Sequence, residues 1–162
     1  MVSIDIEQAI DRLQARYAAA LDGKRMQGWY DSFAARPDSS YVCTTAENVA
    51  AKLPVALMLD DNRDRLADRV TFVQKVWAGT FQDYRTRHLI QRLECEESAD
   101  GVFEVNSNFI VTFTPEESGD SRLLVCGAYQ DVVVREGAGL CFLHKRAVMD
   151  TIVLPRYVVY PI

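Results

Sequence analysis

His88 and His144 are the only imidazoles in this chain, so acid–base chemistry near neutral pH has to be built on one of them. His88 closes the run Tyr84-Arg85-Thr86-Arg87-His88, and His144 lies within Phe142-Leu143-His144-Lys145-Arg146. A catalytic imidazole needs a carboxylate to orient it and a pocket to desolvate it. Asp131, Asp150 and Tyr129 fall on neighbouring strand-like stretches and are the candidate partners. His88 or His144 paired with Asp131 inside a cavity would equip an isomerase or a dehydratase. The simpler reading is a pair of structural histidines, hydrogen-bonded in or beside a core.

Metal chemistry has less to work with. A facial-triad iron centre needs two histidines and a carboxylate in close geometry, and here the histidines sit on separate strand-like segments with no helix-borne pair. Cys43, Cys95, Cys126 and Cys141 are scattered without a CxxC spacing, and they are expected to be buried free thiols. There is no Gly-rich phosphate loop, GxSxG or HExxH. No cofactor is expected in the chain itself. Arg85 and Arg87 point to one side of a strand and His88 to the other. Such a basic pair is usually a solvated surface, yet it also suits bidentate contact with carboxylates of a partner chain, which starts to suggest assembly rather than catalysis.

The elements that hold these residues come from 162 residues with 49% hydrophobic content, which make a single domain spanning 1–162. A net charge of −5 and a pI near 5.0 argue against nucleic acid or an anionic membrane as partner, because phosphate recognition relies on clustered Lys and Arg. The acidic start, with Asp5 and Glu7 where a leader would be basic and then apolar, predicts a cytoplasmic protein. Leu53 to Leu59 is the longest near-apolar run and is too short to span a bilayer.

Ser3 is a good N-cap for a helix carrying Ile6, Ile10, Leu13, Tyr17 and Leu21 on one stripe and stopping at Asp22-Gly23. Met26, Trp29, Tyr30 and Phe33 share one face of a second helix ended by Pro37. Tyr41 and Cys43 suggest a short strand, and Val55 to Leu59 another or an irregular segment. Asp61 caps a helix from about Asn62, with Leu66, Val70, Val73 and Trp77 buried and Arg63, Asp64, Arg65, Asp68 and Arg69 solvated.

Beyond Tyr84 the period changes to two. Arg85 to Leu93 alternates, and in Val102 to Thr114 the residues Phe103, Val105, Phe109, Val111 and Phe113 share a face. Leu123 to Asp150 then forms two long β arms joined at Arg135-Glu136-Gly137-Ala138-Gly139, a hairpin in which Gly127 marks a bend or a bulge. Val158 to Ile162 is a last short strand or a docked tail. Helices followed by long antiparallel strands define an α+β fold, a cone of about three helices on a curved sheet of about six strands.

Asp60-Asp61-Asn62-Arg63-Asp64-Arg65-Leu66-Ala67-Asp68-Arg69-Val70, Arg85-Thr86-Arg87-His88, Ala128-Tyr129-Gln130-Asp131-Val132-Val133-Val134-Arg135 and Arg146-Ala147-Val148-Met149-Asp150 together resemble the small (β) subunit of aromatic-ring-hydroxylating dioxygenases, of the NTF2-like (cystatin-like) superfamily. The lighter Val42-Cys43-Thr44-Thr45 departs from that family's aromatic-rich first strand. The resemblance implies a non-catalytic subunit. Its large (alpha) partner would carry a Rieske 2Fe-2S cluster and a mononuclear iron, and the two chains would form an α3β3 hexamer around a β trimer. Leu53-Pro54-Val55-Ala56-Leu57-Met58 and Val158-Val159-Tyr160-Pro161-Ile162 look most like the subgroup acting on aromatic carboxylates such as salicylate, anthranilate or terephthalate. On this view Arg85, Arg87, His88, Tyr129, Asp131 and Arg146 are candidate subunit-interface residues, or hold the hairpin in register.

Overall fold

The computed structural model describes residues 2–162. Its first helix, α1 (Ile4–Asp22), starts where Ser3 accepts from the backbone N–H of Ile6 and buries Ile10, Leu13, Tyr17 and Leu21, the stripe expected from helical spacing. The second, α2 (Met26–Tyr30), is shorter than its apolar spacing suggests. Phe33 leaves the helix to bridge Phe142, so tertiary pairing ends α2 before Pro37 does.

A six-stranded sheet wraps around this helical pair in the order β2-β1-β6-β5-β4-β3. The strands are β1 (Ser40–Thr45), β2 (Met58–Asp60), β3 (Tyr84–Ala99), β4 (Val102–Pro115), β5 (Arg122–Glu136) and β6 (Gly139–Met149). All neighbours are antiparallel except β1 and β6. A short helix, α3 (Ala46–Ala50), separates β1 from β2, and α4 (Arg63–Thr71) precedes a π turn at Phe72–Val76. This is the expected α+β cone, with one more short helix than foreseen.

The hairpin turns at Gly137, whose φ of 57° is left-handed and suits a residue without a side chain. The register slips fall beside Leu124 and Leu143, where β5 and β6 each carry one extra residue. Gly127 is regularly paired, so it is not the bulge. Its role is close approach: a Cβ there would sit 2.0 Å from the Val148 carbonyl oxygen.

Two expectations around α4 need correcting. Asn62, not Asp61, caps the helix, accepting from the Arg65 N–H at 3.0 Å. Arg63 and Arg69 are structural rather than merely solvated. Arg63 donates to the carbonyls of Phe33 (3.0 Å) and Ala34 (3.1 Å) and lies over the Tyr30 ring, and Arg69 grips Asp60 through two hydrogen bonds of 2.9 and 3.0 Å. Trp77 is 37% exposed and lies outside the buried stripe, because the π turn rotates it off that face.

The C-terminal segment is a docked tail. Tyr17 and Tyr41 donate to the Ile162 carbonyl oxygen, at 2.7 and 3.0 Å, and the Ile162 N–H donates back to Tyr41 at 2.8 Å. All four cysteines are free. Only Cys43 is fully buried, and burial pushes its thiol up to about 12; the other three are partly exposed.

Candidate functional site

The concave face of the sheet is where a site in a cone would lie, and two polar assemblies occur there. The first is deep. Asp131 on β5 and Lys145 on β6 are register partners, and Lys145 Nζ donates to Asp131 Oδ2 at 2.9 Å with both side chains wholly shielded from solvent. The ammonium lies 3.6 Å from the centroid of the Tyr129 ring, 4.4 Å from that of Phe142 and 4.5 Å from that of Tyr17. These π faces add to the attraction that holds a buried cation. Burial drives the Asp131 carboxyl up and the Lys145 ammonium down, each opposed by the charge of the other.

Little room remains around the pair. Tyr129 stacks on Phe109 with centroids 4.3 Å apart, and Tyr17 meets Tyr129 and Phe142 edge-on at 6.2 and 5.6 Å. Gln14 on α1 crosses to Ser107 on β4 with a hydrogen bond of 2.6 Å. The cone interior is therefore packed aromatic core braced by polar contacts.

The second assembly lies under the groove between α1 and β3. Asp22, the last residue of α1, accepts from His88 Nδ1 (2.6 Å), from the His88 backbone N–H (3.1 Å) and from Thr86 Oγ1 (2.9 Å). Burial pushes this carboxyl up, but the His88 and Thr86 contacts outweigh it and hold Asp22 below the usual carboxylate range. The His88 side chain is only 2% exposed, and its Nε2 is buried without a partner among the described residues.

Asp22→Asn should expose the worth of this contact. Lowering in the folded state means stability that is present above the unfolded carboxylate value of about 3.9 and lost as pH falls through the folded one. The variant is expected to lose about 1–3 kcal/mol at pH 7. The gap should narrow toward pH 3 in urea unfolding followed at a series of pH values; a constant gap would contradict the assignment.

The residues singled out in the sequence divide by face. Arg85, Arg87 and Arg146 are exposed on the outer surface. Beside them on that convex side lie Leu89 (57% exposed), Ile110 (45%) and Leu123 (55%), with Leu89 and Ile110 directly paired. Tyr129 and Asp131 are not on that surface: alternation along β5 turns both inward, and Asp131 holds the hairpin in register through Lys145. His88 also faces inward. His144 is on the face opposite Lys145 and shares a 2.9 Å hydrogen bond with Ser40 Oγ. The structure brings neither histidine to Asp131.

Asp22, Lys145 and Gln14 are the members that sequence reasoning missed. Asp22 carried one signal, since a carboxylate in the last turn of a helix opposes the helix dipole and so suggests a partner elsewhere. Asp131 carried another by sharing a parity with Tyr129 and Val133 on an apolar face. Among the described residues no group of three or more His, Cys, Asp or Glu side chains is placed to hold a metal ion, and no helix is long and apolar enough to cross a membrane.

A curved sheet closed on helices, with its interior filled, defines an NTF2-like α+β cone. Residues 16–156 match the family described as ring hydroxylating beta subunit, and the chain belongs to it. It is similar to the small subunit of anthranilate 1,2-dioxygenase from Burkholderia cepacia, 32% identical over 139 residues that cover 86% of this chain and 83% of the relative. Among solved structures it resembles a beta subunit from Novosphingobium aromaticivorans assigned to an aromatic-ring-hydroxylating dioxygenase (TM-score 0.79, 28% identity, 90% of each chain covered). It shares its fold with the benzoate 1,2-dioxygenase beta subunit of Burkholderia mallei (TM-score 0.72, 23% identity, 93% of each chain covered). The chain is thus a beta subunit of an aromatic-ring-hydroxylating dioxygenase, a kind of subunit that partners with a large oxygenase subunit.

Proposed function

We propose that this subunit has no reaction of its own and serves to assemble and stabilise the large subunit, in an α3β3 hexamer built on a β trimer in the cytoplasm. The Rieske 2Fe-2S cluster and the mononuclear iron belong to the large chain in this scheme, which uses NAD(P)H-derived electrons and O2 to hydroxylate an aromatic carboxylate. Relatives named for anthranilate and benzoate support that substrate class.

The observation that carries the proposal is the contrast between the two faces of the sheet. The concave face is closed by Phe109, Tyr129, Tyr17 and Phe142 around a buried ion pair. The convex face presents Leu89, Ile110 and Leu123 beside Arg85 and Arg87. Exposed apolar side chains gathered on a sheet and edged by arginine are the composition of a protein interface. Arg85, Arg87 and Arg146 are its polar contacts, suited to carboxylates of a neighbouring chain.

Co-expression with a cognate large subunit tests this. The expected result is a 3:3 complex by light scattering, with oxygenase activity that needs both chains, and loss of capture in Ile110→Asp/Arg87→Glu while the unfolding midpoint stays near that of the wild type. A chain that remains monomeric beside a fully active large subunit would overturn the proposal.

A further inference from the structure

The apolar run from Leu53 to Leu59 has no part in the assembly face described above, yet Leu53, Val55, Leu57 and Leu59 are each about half exposed, with Met58 turned inward between the last two. The strip is fixed in place. Leu57 N–H donates to the Cys43 carbonyl at 2.7 Å, and the Val55 carbonyl accepts from Thr44 Oγ1 at 2.7 Å. A pinned row of large apolar side chains facing water marks a protein contact.

The charges around the strip say which protein. On α4, directly after β2, Asp64 and Asp68 are exposed, and among the described residues neither has an ion-pair partner, whereas Arg65 is taken by Asp61 and Arg69 by Asp60. Lys52, just before the strip, offsets one of these charges. Asp68 also lines a hollow of about 250 Å³ with Arg65, Phe72 and the Asp60–Arg69 pair, a setting in which a guanidinium can stack on a ring and meet a carboxylate. Arg85 and Arg87 are the opposite case. Both are exposed on β3 beside Leu89 and Ile110, and among the described residues neither meets a carboxylate; Arg87 donates to the Thr86 carbonyl instead.

β2 and β3 are the two end strands of the sheet, so the acidic and the basic surface lie at opposite ends of it. A two-fold dimer through either end would set like charges against each other, which is costly. A head-to-tail contact sets Arg85 and Arg87 toward Asp64 and Asp68 and covers both apolar strips at once. Such a contact is heterologous, and it closes into a ring of three when each step turns by a third of a circle.

We propose that the Leu53–Leu59 strip and the outer face of α4 are the docking site for the convex β3 end of a second copy of this chain, so that the β trimer is built head to tail. This rests on the reading of the convex face as an assembly surface and names what that surface meets.

Light scattering on the full-length chain, without a large subunit, tests the proposal with two variants. Leu57→Asp/Leu59→Asp breaks the strip, and Arg85→Glu/Arg87→Glu breaks the convex end. The wild type is expected to be a trimer. Each variant alone should be monomeric, its self-association weakened about tenfold or more, with an unfolding midpoint near that of the wild type because the replaced side chains are exposed. Mixed in equal amounts at high concentration, the two variants should form a two-chain species, since the intact convex end of the first still meets the intact strip of the second. Asp64→Lys/Asp68→Lys, on an exposed helix face, takes the place of the strip variant should that one not fold, and is expected to behave alike. A strip variant that stays trimeric, or an equimolar mixture that stays monomeric, would overturn the head-to-tail contact. A monomeric wild type that still enters an active 3:3 complex would overturn it while leaving the subunit role intact. Normal self-association with lost capture of the large subunit in the strip variant would overturn it too, and assign the strip to the large chain.

Discussion

Replacing Lys145 with methionine is expected to cost about 3–5 kcal/mol of stability at pH 7, the penalty for stranding one charge of a buried pair. The side chains are close in length, so the loss is not one of volume. Asp131 keeps a carboxylate that no solvent reaches, and the Lys145 ammonium that donates to its Oδ2 is the charge that balances it. The pH dependence carries a sign. Burial already raises the Asp131 carboxyl in the wild type against the pull of Lys145, and removing the ammonium removes that pull. A carboxyl raised in the folded state contributes stability that is fully present below its unfolded value, about 3.9, and lost as pH rises through the folded value. The deficit of the variant should therefore be smaller at pH 4 than at pH 8. Lys145→Met combined with Asp131→Leu should recover most of the loss, because an apolar pair of similar volume often matches a buried ion pair or betters it. Guanidinium unfolding of the three proteins decides the matter. A single variant within about 1 kcal/mol of the wild type, or a double variant as unstable as the single, would show that the pair does not brace the hairpin as described.

The same pair shows where the sequence was legible. Alternation along Val102 to Thr114 places Phe103, Val105, Phe109, Val111 and Phe113 inside, because a sheet with one buried face enforces a period of two. Applied to β5, that rule turns Tyr129, Asp131 and Val133 inward together. Asp131 was thus readable as a buried carboxylate needing a cation, although family likeness drew it toward an interface. Its partner was harder to find. The extra residue beside Leu143 reverses the parity of β6, so Phe142 and Lys145, three apart, both face the core. No local signal announces such a slip.

Pairings between distant segments were equally invisible. His88 meets Asp22 only because the end of α1 is laid across β3, and β1 joins β6 in parallel only after the chain has closed the cone. The short elements between Met26 and Asp60 were blurred for a related reason. Five-residue helices such as α2 and α3 are too brief to be stable alone, and tertiary contacts such as Phe33 with Phe142 set where they stop. The convex face, by contrast, was partly visible from Arg85 and Arg87 on one side of a strand.

Gly127→Ala is expected to be the most damaging single-methyl change in the hairpin, with a loss of about 3 kcal/mol or more or failure to accumulate as folded protein. The cause is close approach rather than φ. An added Cβ would lie 2.0 Å from the Val148 carbonyl oxygen and 3.0 Å from Met149 Cα. Those atoms belong to the backbone of β6, which is held on its other side by β1 through the pairing of Thr44 with Val148 and Thr45 with Met149. They cannot retreat as a side chain would. Relief requires the β5–β6 ladder to open near Gly127, where β5 is also paired with Phe109, the ring stacked on Tyr129. The damage would spread outward as well, because the neighbouring residue Cys126 pairs with Ile110 at the centre of the convex apolar strip. Gly139→Ala is the control: a Cβ there meets nothing within 4 Å, and its effect should stay within about 0.5 kcal/mol, as for ordinary surface changes. Unfolding midpoints for the two variants, with capture of the large subunit measured on the same samples, separate the outcomes. Equal stability for Gly127→Ala and Gly139→Ala would mean that β6 yields where the geometry says it is fixed. A destabilised Gly127→Ala that also loses capture would tie the strand contact at Gly127 to the surface on which the subunit's role depends.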